Sequence, residues 1–212
     1  SAHDWPLLER AAMTGKPVIC STGGLAIADI DKIASFFQKR AVHFALMHCV
    51  AQYPTPNNKL HLNQIETMQR RYPGVTIGFS THEDPSNLNA VRIAYAKGAR
   101  IFEKHVGMPT DTITLNAYSA TPKQIEEWVK AYKEAAESCG GEGERSIASK
   151  EKEDLRSLMR GVYARKEIPR GALIKRSDVF FAMPLGAGQL SSGRWAEDLA
   201  ADRSFGPNEP LP

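Results

Sequence analysis

The sequence lacks several features that would place it in a special class of protein. No apolar run approaches the ~20 residues of a membrane-spanning helix, which predicts a protein with no membrane partner. No block of basic residues is present and the net charge is only +3, so nucleic-acid binding is not indicated. The three cysteines are widely spaced and form no C-x-x-C pair, which favours reduced thiols in a cytoplasmic protein.

What the sequence contains is an alternation of short apolar runs and amphipathic segments. Its 212 residues, 42% of them apolar, suffice for one large domain or two smaller ones. Strands are predicted at 16–20, 42–47, 75–79 and 99–102, and helices at 28–39, 63–71, 86–97 and 121–138. Such repeats predict a (β/α) barrel or a doubly wound sheet. Polar strand ends favour the barrel, and because a complete barrel has eight repeats over about 250 residues, four repeats predict its second half.

Two histidines follow neighbouring predicted strands. Gly78-Phe79-Ser80-Thr81-His82 ends one strand, and Phe102-Glu103-Lys104-His105 ends the next. The helix between them, closed by Gly98, completes a βαβ unit whose parallel strands end at the same edge. His82 and His105 should therefore lie side by side, where two imidazoles can share one divalent metal. A hydrogen-bonded structural role for each histidine is the alternative.

Two further segments at predicted strand ends carry candidate ligand-binding groups. Ser21-Thr22-Gly23-Gly24 follows the first strand, and its small residues would let backbone amides approach an anion. An ordinary βα turn has the same composition. The segment 106–119 has no clear periodicity and contains Asp111 and Asn116. Long loops at strand ends commonly carry function, so these two residues are candidates as well.

The composition changes after the last predicted helix. Residues 1–140 hold the strand–helix repeats, and 141–154 are polar and contain glycine, which predicts a linker. Residues 155–212 contain short apolar runs separated by turns, among them Ile168-Pro169-Arg170-Gly171. This last part is predicted to be a small, mostly β module.

Taken together, these motifs resemble the sialic acid synthase family. The matching segments are Lys16-Pro17-Val18-Ile19 with Ser21-Thr22-Gly23, His48-Cys49 with Tyr53-Pro54-Thr55-Pro56, Gly78-Phe79-Ser80 with His82, and Glu103-Lys104-His105. The last module, with Leu158-Met159-Arg160 and Ser177-Asp178-Val179, is similar to that family's C-terminal antifreeze-like (SAF) domain. The resemblance covers nearly the whole chain. It implies an α/β fold, the C-terminal half of a TIM barrel followed by an SAF domain.

The resemblance also implies a chemistry. The family condenses phosphoenolpyruvate with the open-chain aldehyde of an amino sugar, forming a nonulosonic acid and releasing phosphate. A divalent metal, commonly Mn²⁺, is the implied cofactor, and a domain-swapped homodimer is the implied assembly. Carried over by position, the resemblance assigns His82 and His105 as metal ligands and Ser21 and Ser80 as residues that hold phosphoenolpyruvate. The family's Pro-Gly-Pro-Asp loop, which binds acceptor hydroxyls, is replaced here by 111–119, where Asp111 or Asn116 is the candidate to substitute as a substrate-binding residue. The two histidines and Glu103 are our candidate catalytic residues, and Thr22 is a further substrate-binding candidate.

Departures from the family pattern modify these expectations. Thr81 stands where the family usually has Asp, and Ala51 stands where it has an Asn or Ser that contacts phosphoenolpyruvate. Met183, which cannot donate a hydrogen bond or carry a charge, replaces an Arg that holds the sugar's N-acetyl group. We therefore expect an acceptor other than N-acetylmannosamine, as for related spore coat polysaccharide synthesis enzymes.

The first half of such a barrel would supply a Lys and a Glu at strand ends, so we expect the biological protein to be longer than these residues. Two other functions remain open. One is a degenerate, non-catalytic homologue that binds carbohydrate or another subunit, and the other is a different (β/α)-barrel lyase or aldolase. Lys104, which is flanked by Glu103 and His105, is predicted to be an ion-pair partner rather than a Schiff-base lysine.

Overall fold

The computed structural model describes residues 2–141 and 143–212. The chain divides into two compact units, 1–141 and 142–212, and each is described by itself. Within the described residues, no helix is both long enough and apolar enough to span a bilayer.

The first unit alternates helices and strands around one parallel sheet. Its elements are α1 (Trp5–Ala12), β1 (Val18–Ser21), α2 (Ile27–Lys39), β2 (Phe44–Cys49), α3 (Asn63–Arg71), β3 (Thr76–Thr81), α4 (Leu88–Ala96), β4 (Ile101–Lys104) and α5 (Pro122–Cys139). The strands pair in the order β1-β2-β3-β4. Strand order that follows chain order is the winding of a barrel, whereas a doubly wound sheet reverses its order. The unit is therefore a curled, parallel half-barrel, and the predicted α/β class is confirmed.

Side chains alternate between two faces of this sheet. On the face covered by helices, Leu46, Ile77 and Phe79 are buried against Ile33 and Phe37 of α2. Successive side chains of a strand point to opposite sides, so the residues between these lie on the other, concave face. The concave face is where the interior of a barrel would be, and Ser21, Ser80 and Glu103 lie on it at the strand ends.

Capping residues explain where the helices begin and end. The Thr121 side chain accepts a hydrogen bond from the Gln124 amide and Gln124 bonds back to Thr121, with Pro122 in the first turn, so the predicted start of α5 is confirmed. The Asn87 side chain accepts from two backbone amides at the start of α4. Gly98 follows α4 with φ of +97°, a conformation that favours glycine.

Strands β3 and β4 each continue two residues beyond their predicted ends. Ser80 pairs with Glu103, and Thr81 pairs with Lys104, as the last rungs of the ladder between them. Each predicted strand ended at its last apolar residue, whereas the pairing of backbone groups between strands does not require apolar side chains. Several polar residues of the predicted site therefore lie within the strands themselves.

The second unit, as described from residue 143 on, combines one α-helix with four short strands. Its elements are α6 (Ser149–Leu158), β5 (Gly161–Ala164), β6 (Leu173–Ile174), β7 (Val179–Ala182) and β8 (Leu199–Ala200). Strand β5 pairs antiparallel with β7, and β6 pairs antiparallel with β8. Val162, Ile174, Val179 and Phe205 are among the buried residues of its core. That this unit is an SAF domain stays a prediction.

Helix α6 departs from the sequence interpretation. It begins at Ser149, inside the segment predicted to be a linker, and ends at Leu158, inside the module predicted to be mostly β. Its polar composition hides it from a search for apolar periodicity. The Lys150 ammonium and the Asp154 carboxylate are 2.7 Å apart, and such pairs four residues apart stabilise a helix.

Candidate active site

The concave face of the half-barrel brings together most of the predicted site residues. Ser80 and Glu103 are direct neighbours in the β3–β4 ladder, and Ser21 lies at the end of β1. His82 lies two residues after Ser80, and His105 lies two residues after Glu103, so the histidines lie on the same face as these two residues. His82 thus lies beside His105, as predicted, and the register of the strands adds the other three side chains to the same face.

The two histidine rings lie close together. Their centroids are 5.1 Å apart, at an interplanar angle of 51°. His82 is buried, with 5% of its surface exposed, whereas His105 is exposed. Nδ1 of His82 lies 3.3 Å from the carbonyl oxygen of Val50, which can only accept a hydrogen bond. Nδ1 therefore donates its proton there, and Nε2 keeps a free lone pair.

The environment of His82 favours a neutral ring. Burial is the largest cause that lowers the pKa of His82 below its ordinary value, and the neighbouring His105 lowers this pKa further. The hydrogen bond to Val50 acts in the opposite direction. A neutral imidazole with a free nitrogen is the form that binds a metal.

Two tyrosines that were not predicted surround the histidine pair. The Tyr53 ring centroid is 4.2 Å from that of His82, and the Tyr118 centroid is 5.7 Å from His82 and 5.2 Å from His105. The two tyrosine rings are themselves 5.3 Å apart. Both residues come from irregular segments, where no periodicity signals a contact. The only sequence signal is that each segment follows a strand that ends in polar residues.

The remaining predicted residues have different surroundings. The amide and the hydroxyl of Thr22 both donate to the carbonyl of Met47, so neither points to a ligand. The amides of Gly23 and Gly24 donate to no described residue, which leaves them available for an anion. Asn116 uses its side-chain oxygen to accept from the Tyr118 amide, and Asp111 is exposed.

A buried ion pair lies on the opposite face of the sheet from the histidines. Nζ of Lys104 is 3.1 Å from Oε1 of Glu83, and it also donates to the Glu83 carbonyl oxygen. The side chains are 1% and 0% exposed. Burial raises the pKa of Glu83, and the charge of Lys104 opposes this. Lys104 is thus an ion-pair partner, as predicted, and its partner Glu83 was not identified from the sequence.

The donor set can be compared with the needs of a divalent metal. Among the described residues there is no group of three or more His, Cys, Asp or Glu side chains arranged to hold a metal. The chain therefore offers two imidazole nitrogens, from His82 and His105. Two such donors fit part of a divalent site, whose other positions water and substrate can fill. Cys49 adds nothing to this set, because its Sγ is 3.9 Å from Nδ1 of His82, the protonated nitrogen.

Cavity shape does not identify the histidine site. A groove of about 540 Å³ lies outside the sheet, beside the first turns of α3 and α4, and is lined by residues such as His61, Asn63 and Asn89. It shares no lining residue with the predicted site. The histidine pair is defined by its side chains and by the register of its strands rather than by an enclosed pocket.

Comparison with known proteins gives consistent matches. The model of the NeuB family matches residues 1–145. A crystal structure from Chromobacterium violaceum, assigned as spore coat polysaccharide biosynthesis protein E, has 42% identity and a TM-score of 0.91; the match covers 100% of this chain and 63% of that one. N-acetylneuraminic acid synthetase from Leptospira borgpetersenii has 30% identity and a TM-score of 0.65, over 73% of this chain and 53% of that one.

A curated relative extends the comparison. The N-acetylneuraminate-9-phosphate synthase of Drosophila melanogaster is 35% identical over 105 residues, which are 49% of this chain and 28% of that protein. The chain spans about half the length of several other curated relatives that it matches. The comparison therefore concerns one part of each of these proteins.

Proposed function

Because the chain belongs to the NeuB family, we propose that it supplies the metal-binding part of a synthase active site. The synthase condenses phosphoenolpyruvate with the open-chain aldehyde of an amino sugar. A carbon–carbon bond forms between the two, water enters, and phosphate leaves as the nonulosonic acid is made. The observation that carries this proposal is the convergence of Ser80, His82, Glu103 and His105 on one face of two adjacent strands.

The serines and the glycine turn are proposed to bind phosphoenolpyruvate. The hydroxyls of Ser21 and Ser80 and the amides of Gly23 and Gly24 are hydrogen-bond donors with no partner among the described residues. Donors that the fold leaves free at a strand end suit the phosphate and carboxylate oxygens of this substrate. Thr22 is not included, since both of its donors bind Met47.

His82 and His105 are proposed to hold a divalent ion, with Mn²⁺ as the first candidate. When bound, such an ion supplies Lewis-acid stabilisation of the charge that develops on the aldehyde oxygen. Glu103 is exposed on the concave face beside Ser80, where its carboxylate can accept a hydrogen bond or a proton from the acceptor sugar. The rings of Tyr53 and Tyr118 pack against the ring of His82 and limit the access of water to it.

The second unit and the acceptor sugar are part of the same proposal. We propose that residues 155–212 act as an SAF domain in a homodimer. Met183 is 62% exposed and carries no hydrogen-bond donor on its side chain, so it does not hold an N-acetyl group. An amino sugar other than N-acetylmannosamine is therefore the proposed acceptor.

Metal binding by the intact protein tests this function first. We expect wild type to bind one Mn²⁺ and the variant with His82→Ala and His105→Ala to bind none, as measured by calorimetry and electron paramagnetic resonance. His43→Ala is a matched control, because His43 is exposed and precedes β2 at the other end of the sheet. Phosphate release from phosphoenolpyruvate is then measured over a panel of amino sugars. A wild type that binds no Mn²⁺ and releases no phosphate would leave the non-catalytic homologue as the better account.

A further inference from the structure

The Glu83–Lys104 ion pair connects the chain neighbours of the two imidazoles. Glu83 directly follows His82, and Lys104 directly precedes His105. Nζ of Lys104 contacts both the carboxylate and the backbone carbonyl of Glu83, each at 3.1 Å. One ammonium group therefore contacts both the side chain and the backbone of the residue after His82.

The backbone ladder does not hold the two histidines to each other. Its last rung pairs Thr81 with Lys104, so His82 and His105 both lie one residue beyond it. The His82 carbonyl accepts from the Thr55 amide, and the His105 carbonyl accepts from the Ala120 amide. Each histidine backbone is thus fixed to a different loop, on different sides. Besides the contacts of the two rings with each other and with Tyr118, the two segments are bridged at the end of the ladder by the Glu83–Lys104 ion pair.

The energetics of burial also indicate a role other than stability. Both side chains are almost completely buried, and desolvating two charges costs as much as or more than their attraction returns. Oε2 of Glu83 and the hydroxyl of Thr81 are buried without a protein partner, which adds to that cost. Apolar residues of similar volume are often at least as stabilising at such a position. What an apolar pair does not provide is a fixed contact between two particular atoms.

We propose that the Glu83–Lys104 pair is a positioning device that holds His82 and His105 at the spacing that a shared divalent ion requires. Lys104 and Glu83 touch neither the ion nor the substrate. They act through the backbone at the ends of β3 and β4, on the face of the sheet opposite the imidazoles. The part of this inference that concerns the ion rests on the proposed function, whereas the spacing of the rings does not.

Two variants of the intact protein separate positioning from stability. Glu83→Leu combined with Lys104→Met removes both buried charges and is expected to fold, but it removes the contact. Glu83→Gln keeps an oxygen that Lys104 can bond and therefore keeps the contact, but it leaves a buried positive charge without its counter-ion and lowers the melting temperature. Glu134→Gln removes the negative charge of the exposed Arg92–Glu134 ion pair, whose atoms are 2.8 Å apart, and is the matched control for loss of a carboxylate charge elsewhere in this unit.

Two measurements are made on each variant. One is the dissociation constant for Mn²⁺, and the other is the nuclear magnetic resonance spectrum of the His82 and His105 rings without metal. We expect the apolar double variant to bind Mn²⁺ at least about tenfold more weakly, a usual size for outer-shell changes, and its ring signals to broaden or split. Glu83→Gln and Glu134→Gln are expected to keep the wild-type affinity and sharp ring signals.

The outcomes distinguish this inference from the proposed function. The positioning role is overturned if the apolar double variant gives wild-type ring signals. It is also overturned if the affinity for Mn²⁺ falls in proportion to the melting temperature across all the variants. If wild type binds no Mn²⁺ while the double variant still loosens the rings, the positioning role stands and the metal function falls. If the double variant does not fold, the comparison of Glu83→Gln with Glu134→Gln decides: a Glu83→Gln variant with loosened rings contradicts the proposal.

Discussion

The ring of Tyr53 lies at 61° to the ring of His82, with the centroids 4.2 Å apart. Tyr53 is 54% exposed whereas His82 is 5% exposed, so the tyrosine lies between the histidine and solvent. The burial of His82 is the largest cause of its lowered pKa. The tyrosine therefore helps to keep the imidazole neutral as well as covered.

Removal of the Tyr53 ring should raise the pKa of His82. In Tyr53→Ala, water reaches the imidazole and stabilises its charged form, so the pKa moves back toward its ordinary value. Titration of the imidazole carbon-bound proton by nuclear magnetic resonance measures the shift. Tyr53→Phe retains the ring and is expected to titrate as wild type. Equal pKa values in wild type and Tyr53→Ala would show that the burial comes from other groups.

An ion pair between Asp31 of α2 and Arg71 of α3 predicts that the stability of the protein depends on pH. Asp31 accepts two hydrogen bonds from the Arg71 guanidinium, at 2.7 and 2.6 Å, and one from the Tyr72 hydroxyl at 2.9 Å. The bond from Arg71 is the largest cause that lowers the pKa of Asp31 below 3.8. A depressed folded-state pKa gives stability that is present above the unfolded pKa and is lost as pH falls through the folded pKa.

Asp31→Asn should therefore be less stable than wild type at pH 7, and the difference should shrink as the pH falls below about 3.8, close to the ordinary pKa of Asp. Thermal unfolding of both proteins between pH 7 and pH 3 measures this. In an Arg71→Gln background, the same substitution should show a weaker dependence on pH. A difference that is constant over the whole range would mean that Asp31 titrates alike in both states.

Gly78 leaves no space for a side chain. A Cβ at this position would lie 2.2 Å from Sδ of Met47 and 2.7 Å from the carbonyl oxygen of Ile101. The methionine can move, but the backbone oxygen belongs to the next strand. We expect Gly78→Ala to lower the free energy of unfolding by about 1–3 kcal/mol, measured by urea denaturation. Gly141→Ala, where nothing lies within 4 Å, should leave it unchanged.

Trp128 allows a test of packing against hydrogen bonding. It is 6% exposed, its ring lies 5.9 Å from that of Phe102, and its Nε1 is buried without a partner. Trp128→Phe removes that unpaired donor and retains an aromatic ring, so a loss below about 1.5 kcal/mol is expected. Trp128→Ala leaves a cavity between α4 and α5 and should cost about 3–5 kcal/mol. Chemical unfolding distinguishes the two; equal losses would mean that the phenyl ring of Trp128→Phe restores none of the packing.

The half-barrel and its histidine pair follow from the sequence for a simple physical reason. Apolar runs of strand length alternate with helical periodicity, and parallel strands must end at one edge. That rule alone places His82 beside His105, without knowledge of any loop. The shared face of Ser80 and Glu103 follows from the pairing of β3 with β4, which continues beyond the apolar residues that marked each strand.

Tertiary contacts made by irregular segments could not be predicted from the periodicity of the sequence. Tyr53 and Tyr118 reach the histidines through loop paths that have no period. Glu83 and Lys104 lie 21 residues apart, and nothing local indicates that both side chains are buried. Helix α6 was missed because its residues are nearly all exposed, so no apolar face marks it.

The alternation of side chains in β3 has a consequence for how this protein can vary. Inserting one residue within 76–81 would exchange the two faces of every position beyond it. Ser80 and His82 would then enter the packed layer under the helices, while Glu83 would lie on the concave face. The length of this strand is therefore fixed far more strictly than its individual residues. The loop at 106–119 has no such constraint, so differences in length between relatives should appear there as insertions and deletions rather than inside the strands.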